Sequence, residues 1–78
     1  MNGEISISIT VDQQQAQSYL TWLVHQYELA MTEFWFDDRY RFTPQGFRAK
    51  RIIEDHPHML GLVRTVRELR SQLRGLPA

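Results

Sequence analysis

The chain has no cysteine, so neither a disulfide bond nor a thiolate metal site can stabilise it. Its 78 residues predict a single domain over residues 1–78. A domain of this size buries only roughly 60% of the surface of its unfolded chain, so its own core is marginal. Self-association is the remaining common way for such a chain to bury more surface. The sequence therefore predicts a homodimer.

Long apolar runs and catalytic motifs are also missing. No segment approaches the roughly 20 apolar residues that a membrane-spanning helix needs. The first residues lack the basic and apolar regions of a signal peptide, so we expect a cytoplasmic location. The four glycines are isolated from one another, which excludes a glycine-rich phosphate loop. We therefore expect no enzymatic activity, no cofactor and no bound metal.

Basic residues are absent from the first half of the chain. Residues 1–38 contain six acidic residues and no lysine or arginine, whereas residues 39–78 contain all nine basic residues and three acidic ones. Eight of the nine basic residues are arginine, which forms bidentate pairs with carboxylate or phosphate groups. This segregation of charge indicates a recognition surface.

The residues from Val11 to Trp35 predict the element around which the chain is built. Asp12 followed by Gln15 is typical of a capping box at a helix start. Apolar residues then recur at alternating spacings of four and three, which is the pattern of one helical face. These residues are Ala16, Leu20, Leu23, Tyr27, Ala30 and Phe34. The pattern predicts a helix from about Asp12 to Phe34.

Two large apolar residues, Trp22 and Leu29, fall outside that stripe and on the same side of the helix. Either another element of the same chain covers them, or a second copy of the protein does. The short chain leaves both alternatives open. We predict a dimer interface formed by Ile5, Ile7, Trp22 and Leu29.

Residues 4–11 alternate strictly between apolar and polar side chains, which predicts a half-buried β-strand. One candidate partner is a hairpin over residues 34–42 that turns at Asp37 and Asp38. The others are a single strand from Arg39 to Thr43 and the same N-terminal strand of a second subunit.

Two helices are predicted in the second half. Thr43 as the cap and Pro44 at the first helical position begin a helix that runs to about Glu54. Pro57 begins another that runs to about Arg74, with Gly75 as a left-handed terminator. The predicted fold class is α+β, dominated by helices: N-terminal strand, long helix, short strand or hairpin, and two C-terminal helices.

The arginines of the last two helices are the strongest candidate site. We predict that a protein or nucleic acid binds at Trp35, Arg48, Lys50, Arg51, Arg64, Arg67 and Arg74. Trp35 is expected to be an exposed anchor, while Phe34, Phe36 and Phe42 are expected in the core. An alternative is that the arginines pair with Glu54, Glu68 and the acidic first half of the chain, in the same or another subunit.

Two functions fit this sequence. The first is a small, non-enzymatic regulatory protein that binds another protein through a charged and aromatic surface, as a homodimer. The alternative is a nucleic-acid-binding regulator that uses the arginine-rich C-terminal helix pair in the manner of a helix-turn-helix. The acidic first half would weaken the long-range attraction of phosphate that the second function needs.

His56 and His58 straddle a helix start and do not share the spacing that converges on one metal ion.

Overall fold

The computed structural model describes residues 3–76, and helices make up 74% of them. The long helix α1 spans Gln13–Trp35, α2 spans Gln45–Asp55 and α3 spans Pro57–Arg74. A single 3₁₀ turn, Asp38–Tyr40, lies between α1 and α2. Residues 3–76 contain no β-strand, so the predicted α+β class is wrong and the fold is mostly all-α.

The predicted N-terminal strand is the first correction. Residues 3–11 have no regular secondary structure, although their side chains alternate. A strand needs a neighbour to complete its ladder of hydrogen bonds. Both predicted neighbours within the chain are helical or turned instead, so alternation alone could not produce a sheet.

The predicted hairpin at Asp37 and Asp38 is the second correction. The Asp37 carboxylate accepts a hydrogen bond from the Arg39 backbone N–H at 2.9 Å, and the Tyr40 N–H donates to the Asp37 carbonyl at 3.0 Å. Aspartate commonly forms such local turns with its own backbone. The turn directs Tyr40 into the core, where only 1% of its surface is exposed.

The start of α1 confirms the predicted capping box. The Asp12 carboxylate accepts from the Gln15 backbone N–H at 2.7 Å, and the Gln15 side chain accepts from the Asp12 N–H at 3.0 Å. At α2 the prediction of a Thr43 cap is wrong, because Pro44 is the cap residue and no side chain caps the helix. The Thr43 carbonyl instead accepts from Arg48 at 2.9 Å, which links Thr43 to the first turns of α2.

The last helix begins at Pro57 and ends at Arg74 as predicted, but the conformation of Gly75 after it differs from the prediction. Gly75 has a φ of −77°, so it is right-handed and not the left-handed terminator that the sequence suggested. Its N–H donates to the carbonyls of Ser71 and Gln72, both at 3.2 Å. These bonds continue the helical turn, so no left-handed residue is needed there.

The core lies between α1 and α3, with α2 packed against both. Phe34, near the end of α1, stacks on His56 at the start of α3, while Leu20 lies beside the end of α3. The two long helices therefore run antiparallel. The buried apolar residues are Ala16, Leu23, Tyr40, Ile52, Met59 and Val66. This is a small core, made mainly by the predicted apolar faces of α1 and α3.

Several aromatic residues lie opposite to their predicted places. Phe36 and Phe42 are 82% and 85% exposed, whereas Trp35 is partly buried. The expectation that both phenylalanines belong to the core is therefore wrong, and so is the expectation that Trp35 is the exposed residue. The turn that begins at Asp37 rotates Phe36 outward, and the side chain of Arg48 lies over the Trp35 ring.

Candidate functional site

An open groove between α1 and the end of α3 is lined by three arginines. Its volume is about 580 Å³, and its lining residues are Leu20, Arg67, Arg70, Leu73 and Arg74. We call it the arginine groove. The two leucines are partly buried and supply apolar surface, while the three arginines are exposed.

The helical repeat explains why these arginines converge. Arg67, Arg70 and Arg74 are spaced three and four residues apart, so they follow one flank of α3. Leu73 belongs to the apolar face of the same helix, and antiparallel packing places Leu20 of α1 beside it. The groove thus combines apolar side chains with groups that are hydrogen-bond donors only. Such a surface can bind a ligand that is anionic or rich in carbonyl oxygens.

These arginines are not neutralised within the described part of the chain. Among residues 3–76, the one ion pair within 4.0 Å joins Arg51 and Asp55 at 3.8 Å, within α2. Glu68, the acidic residue of α3, accepts a hydrogen bond from Gln72 instead. Within residues 3–76, the alternative in which the arginines pair with acidic residues of the same subunit therefore holds for Arg51 and not for the three arginines of the groove.

The separation of charge along the sequence becomes a partial separation in space. Glu28 and Glu33 lie in the second half of α1, which packs against the start of α3. The arginine groove lies at the other end of this helix pair. Opposite charges at two ends of one molecule favour contact between copies as well as contact with a foreign partner.

Arg48 and Trp35, two of the predicted binding residues, are engaged within the fold. The Arg48 guanidinium lies 5.2 Å from the centre of the Trp35 ring. One of its terminal nitrogens donates to the Trp35 carbonyl at 3.3 Å, and the other donates to the Thr43 carbonyl at 2.9 Å. Arg48 therefore joins the end of α1 to the start of α2. Its role in binding a partner stays a prediction.

The other predicted cations are exposed but lie apart. Lys50 and Arg51 border a second, smaller depression of about 350 Å³ beside α2, which is also lined by the exposed Phe42 and Phe47. Arg64 lies on α3, outside the arginine groove. The structure thus divides the predicted site into the arginine groove and the α2 depression, with Trp35 and Arg48 turned inward.

The predicted dimer residues are strongly exposed. Ile5, Ile7 and Ile9 are 88%, 79% and 75% exposed, and residues 3–11 make no backbone–backbone hydrogen bond to any other described residue. We call residues 3–11 the N-terminal segment. On α1, Trp22 and Leu29 are 55% and 53% exposed, so no other part of residues 3–76 seals them.

Tyr19 extends the apolar surface around Trp22. Its ring stacks on the Trp22 ring with 6.1 Å between the ring centres. Positions 19, 22 and 29 share one stripe of α1. We call Tyr19, Trp22 and Leu29 the tryptophan face. Sequence reasoning found two of its three members, and the spacing of three between Tyr19 and Trp22 could have identified the third.

The polar groups at the junction of α2 and α3 serve the fold. The Tyr40 hydroxyl donates to the Asp55 carboxylate at 3.0 Å. Burial of the phenol, and then its hydrogen bond to Asp55, raise the pKa of Tyr40 above 10.0. His56 Nδ1 lies 2.8 Å from the Ile52 carbonyl, and its ring stacks on Phe34. Within residues 3–76, no group of three or more histidine, aspartate or glutamate side chains is arranged to hold a metal ion.

Comparisons with known proteins add nothing to this geometry: no family model, curated protein or solved structure matches the chain. None of the helices in residues 3–76 has the length and apolar character needed to cross a bilayer.

Three members of the arginine groove, Leu20, Arg70 and Leu73, were not among the predicted binding residues. The spacing of Arg70 between Arg67 and Arg74 was the signal that could have included it.

Proposed function

We propose that the protein is a small, non-enzymatic interaction module that acts as a homodimer and binds a protein partner in the cytoplasm. The observation that carries this proposal is the apolar surface that the subunit leaves in water. Monomeric proteins seldom expose large contiguous apolar patches, and such patches mark interaction sites. The N-terminal segment and the tryptophan face are two of these patches.

The size of the exposed surface supports the same proposal. A compact monomer of 9.3 kDa exposes about 5000 Å², whereas this chain exposes 6841 Å². The difference is roughly 1800 Å². A standard interface buries about 800 Å² on each partner. The subunit therefore has enough surplus surface for an interface with a second copy and for another with a different protein.

The dimensions of the subunit agree with that comparison. Its radius of gyration is 15.1 Å, while a compact domain of this length has about 11.5 Å. The chain is also flat, with extents of 46 × 33 × 17 Å. A flat subunit has few packed layers between which apolar side chains can be buried. Pairing of two subunits would add another layer.

Light scattering across a concentration series tests the self-association. We expect a dimer mass for the wild-type chain, and a dissociation constant that rises about tenfold or more for Trp22→Asp. The physical reason is that a buried large apolar side chain contributes about 1.5–3 kcal/mol. A wild-type monomer from micromolar to millimolar concentration would overturn the homodimer.

The matched control is Gln17→Asp, which places the same new charge on an exposed polar position of the same helix. It should leave both the mass and the helical circular dichroism unchanged. If Gln17→Asp and Trp22→Asp weaken the dimer equally, the tryptophan face is not the interface. A loss of helical signal in Trp22→Asp would be followed by the milder Leu29→Ser, whose side chain is similarly exposed.

Nucleic-acid binding is the second candidate, and one observation favours it. Arg64, Arg67, Arg70 and Arg74 are all exposed on α3, and none has a carboxylate partner among residues 3–76. Arginines along one helix are typical of phosphate contacts. However, a single residue, His56, separates α2 from α3, which is shorter than the three or four residues of a helix-turn-helix turn.

A salt titration distinguishes the two candidates. Binding to random duplex DNA through phosphate contacts must weaken as salt rises, because binding releases counterions. If the protein binds nucleic acid, fluorescence anisotropy of a labelled duplex should rise at low salt and fall at high salt. A flat response at low ionic strength would eliminate this candidate and leave the protein-binding proposal in place.

A further inference from the structure

The N-terminal segment and the arginine groove are complementary in chemistry. The segment presents Ile5, Ile7 and Ile9 together with backbone carbonyls that accept no backbone hydrogen bond from other described residues. The groove presents apolar leucines bordered by arginines. Each surface holds what the other lacks, since the guanidinium groups only donate hydrogen bonds and carbonyl oxygens only accept them.

Charge favours the same pairing. Residues 3–12 contain Glu4 and Asp12 and no basic residue, while the groove contains three arginines that are not ion-paired within residues 3–76. Arginine binds carboxylates and carbonyl oxygens with several donors at once. Opposite charges across an interface also select the correct partner and its register.

We infer that the N-terminal segment of one copy lies in the arginine groove of a second copy, and that the two copies exchange segments reciprocally. This inference rests on the proposed homodimer and adds a second set of contacts to those of the tryptophan face. The isoleucines would lie against Leu20 and Leu73, and the arginines would bind Glu4 and free carbonyls of the segment. No sheet is required, because side chains make the contacts.

The segment has the reach to cross to another subunit. Nine residues span up to about 30 Å when extended. The segment does not occupy its own groove in this structure, since its isoleucines are almost fully in water. A two-fold axis would place both segments in both grooves, and this kind of exchange is a common route to small dimers.

The absence of cysteine allows a direct test by disulfide trapping. A disulfide forms only when two β-carbons approach to about 3.5–4.5 Å. An Ile7→Cys chain is mixed with a Leu73→Cys chain under mild oxidation, and covalent heterodimer is measured by non-reducing electrophoresis. We expect a yield about tenfold above that of Ile7→Cys mixed with Lys50→Cys, since docking raises the effective concentration at the groove only.

The outcomes separate this inference from the proposed function. Suppose that light scattering shows a dimer, but the heterodimer yield is no greater than in the Lys50→Cys control. This result would overturn the exchange of segments but not the homodimer. The Ile7→Cys, Leu73→Cys double variant tests the remaining case. If it forms mostly an intrachain disulfide, the segment binds its own groove and the exchange is wrong. A monomeric chain would overturn both.

A charge reversal gives a second readout that does not use cysteine. Arg70→Glu should raise the dissociation constant of the dimer about tenfold, because the new carboxylate faces Glu4 and the carbonyl oxygens. Arg64→Glu is the matched control, since it makes the same change on the same helix outside the groove. Equal effects of the two variants would show that only overall charge matters and would overturn the specific contact.

Discussion

At the scale of single residues, the fold depends on a few polar side chains that bind backbone groups. Arg48 is the clearest case, because its two terminal nitrogens donate to carbonyls at the end of α1 and in the loop before α2. Tyr40 has a similar role through its hydroxyl, which donates to Asp55 across the core. Both side chains bind residues more than ten positions away in the sequence, which a local sequence pattern cannot predict.

Arg48→Ala should lower the free energy of unfolding by about 2–3 kcal/mol. It removes two hydrogen bonds of a charged donor, the more costly kind to lose, and a cation–π contact. Arg48→Lys should recover only part of this, since one ammonium group cannot reproduce the planar fork. Urea unfolding followed by circular dichroism measures the order. Lys50→Ala, at an exposed position two residues away, should change little, and equal losses in both variants would contradict the role given to Arg48.

Tyr40 should make the fold sensitive to alkaline pH. Its pKa is raised in the folded chain, first by burial and then by the hydrogen bond to Asp55. The unfolded chain ionises this phenol near pH 10, so the stabilising contribution is complete below pH 10 and is lost as the pH rises through the folded pKa. Tyr40→Phe should lose about 1 kcal/mol at neutral pH and show a smaller decline above pH 10.

The measurement is the unfolding free energy at pH 7 and at several values above pH 10. Tyr27→Phe serves as the control, because Tyr27 lies outside the tryptophan face and outside the Tyr40–Asp55 contact. It should match the wild-type chain at every pH. An unchanged alkaline decline in Tyr40→Phe would show that other groups cause it.

At the scale of elements, the long helix α1 combines local and tertiary signals. Its start is determined by neighbouring residues, since Asp12 and Gln15 satisfy each other's backbone groups. Its apolar stripe is determined by the helical repeat, and the helix packs against α3. The predictions failed for the segments on either side of α1, because residues 3–11 have no strand partner among the described residues and residues 38–40 form a 3₁₀ turn.

Asp12→Ala should reduce the free energy of unfolding by about 1 kcal/mol, the usual cost of losing a helix cap. The loss has a local cause, because the carboxylate satisfies the Gln15 N–H. Thermal unfolding followed at 222 nm measures it. Gln14→Ala, in the same first turn and exposed, should be neutral or slightly stabilising, since alanine favours helix. A destabilisation of equal size in the control would contradict the capping explanation.

At the scale of the whole molecule, the subunit has too few buried side chains for its exposed surface. Among residues 3–76, six apolar residues are buried, while the isoleucines of the N-terminal segment and the tryptophan face remain in water. Small domains without disulfides or metals commonly resolve this imbalance by assembling. Folding of the subunit and its association into a dimer are then coupled equilibria.

The midpoint of thermal unfolding should therefore rise with protein concentration. Only folded chains form the dimer, so a higher protein concentration shifts the unfolding equilibrium toward the folded state by mass action. Differential scanning calorimetry over a hundredfold concentration range measures the shift, which should be several degrees for a domain of this size. A midpoint that does not move would mean that the single subunit is stable by itself.

The sequence alone determined the three helices and the cap of α1, because those features depend on residues within four positions of each other. The capping box at Asp12, the start of α3 at Pro57 and the apolar faces of α1 and α3 were all found in this way. The same local reasoning placed Trp22 and Leu29 outside the apolar stripe of α1.

Only the tertiary structure decided which aromatic residues are buried, whether residues 3–11 have a strand partner, and which arginines form one groove. Each of these depends on contacts between residues distant in sequence. Alternation at Ile5, Ile7 and Ile9 specifies one apolar side but no neighbour, and the burial of Trp35 depends on an arginine thirteen residues later. Leu20 and Leu73 share the arginine groove only because α1 and α3 pack antiparallel.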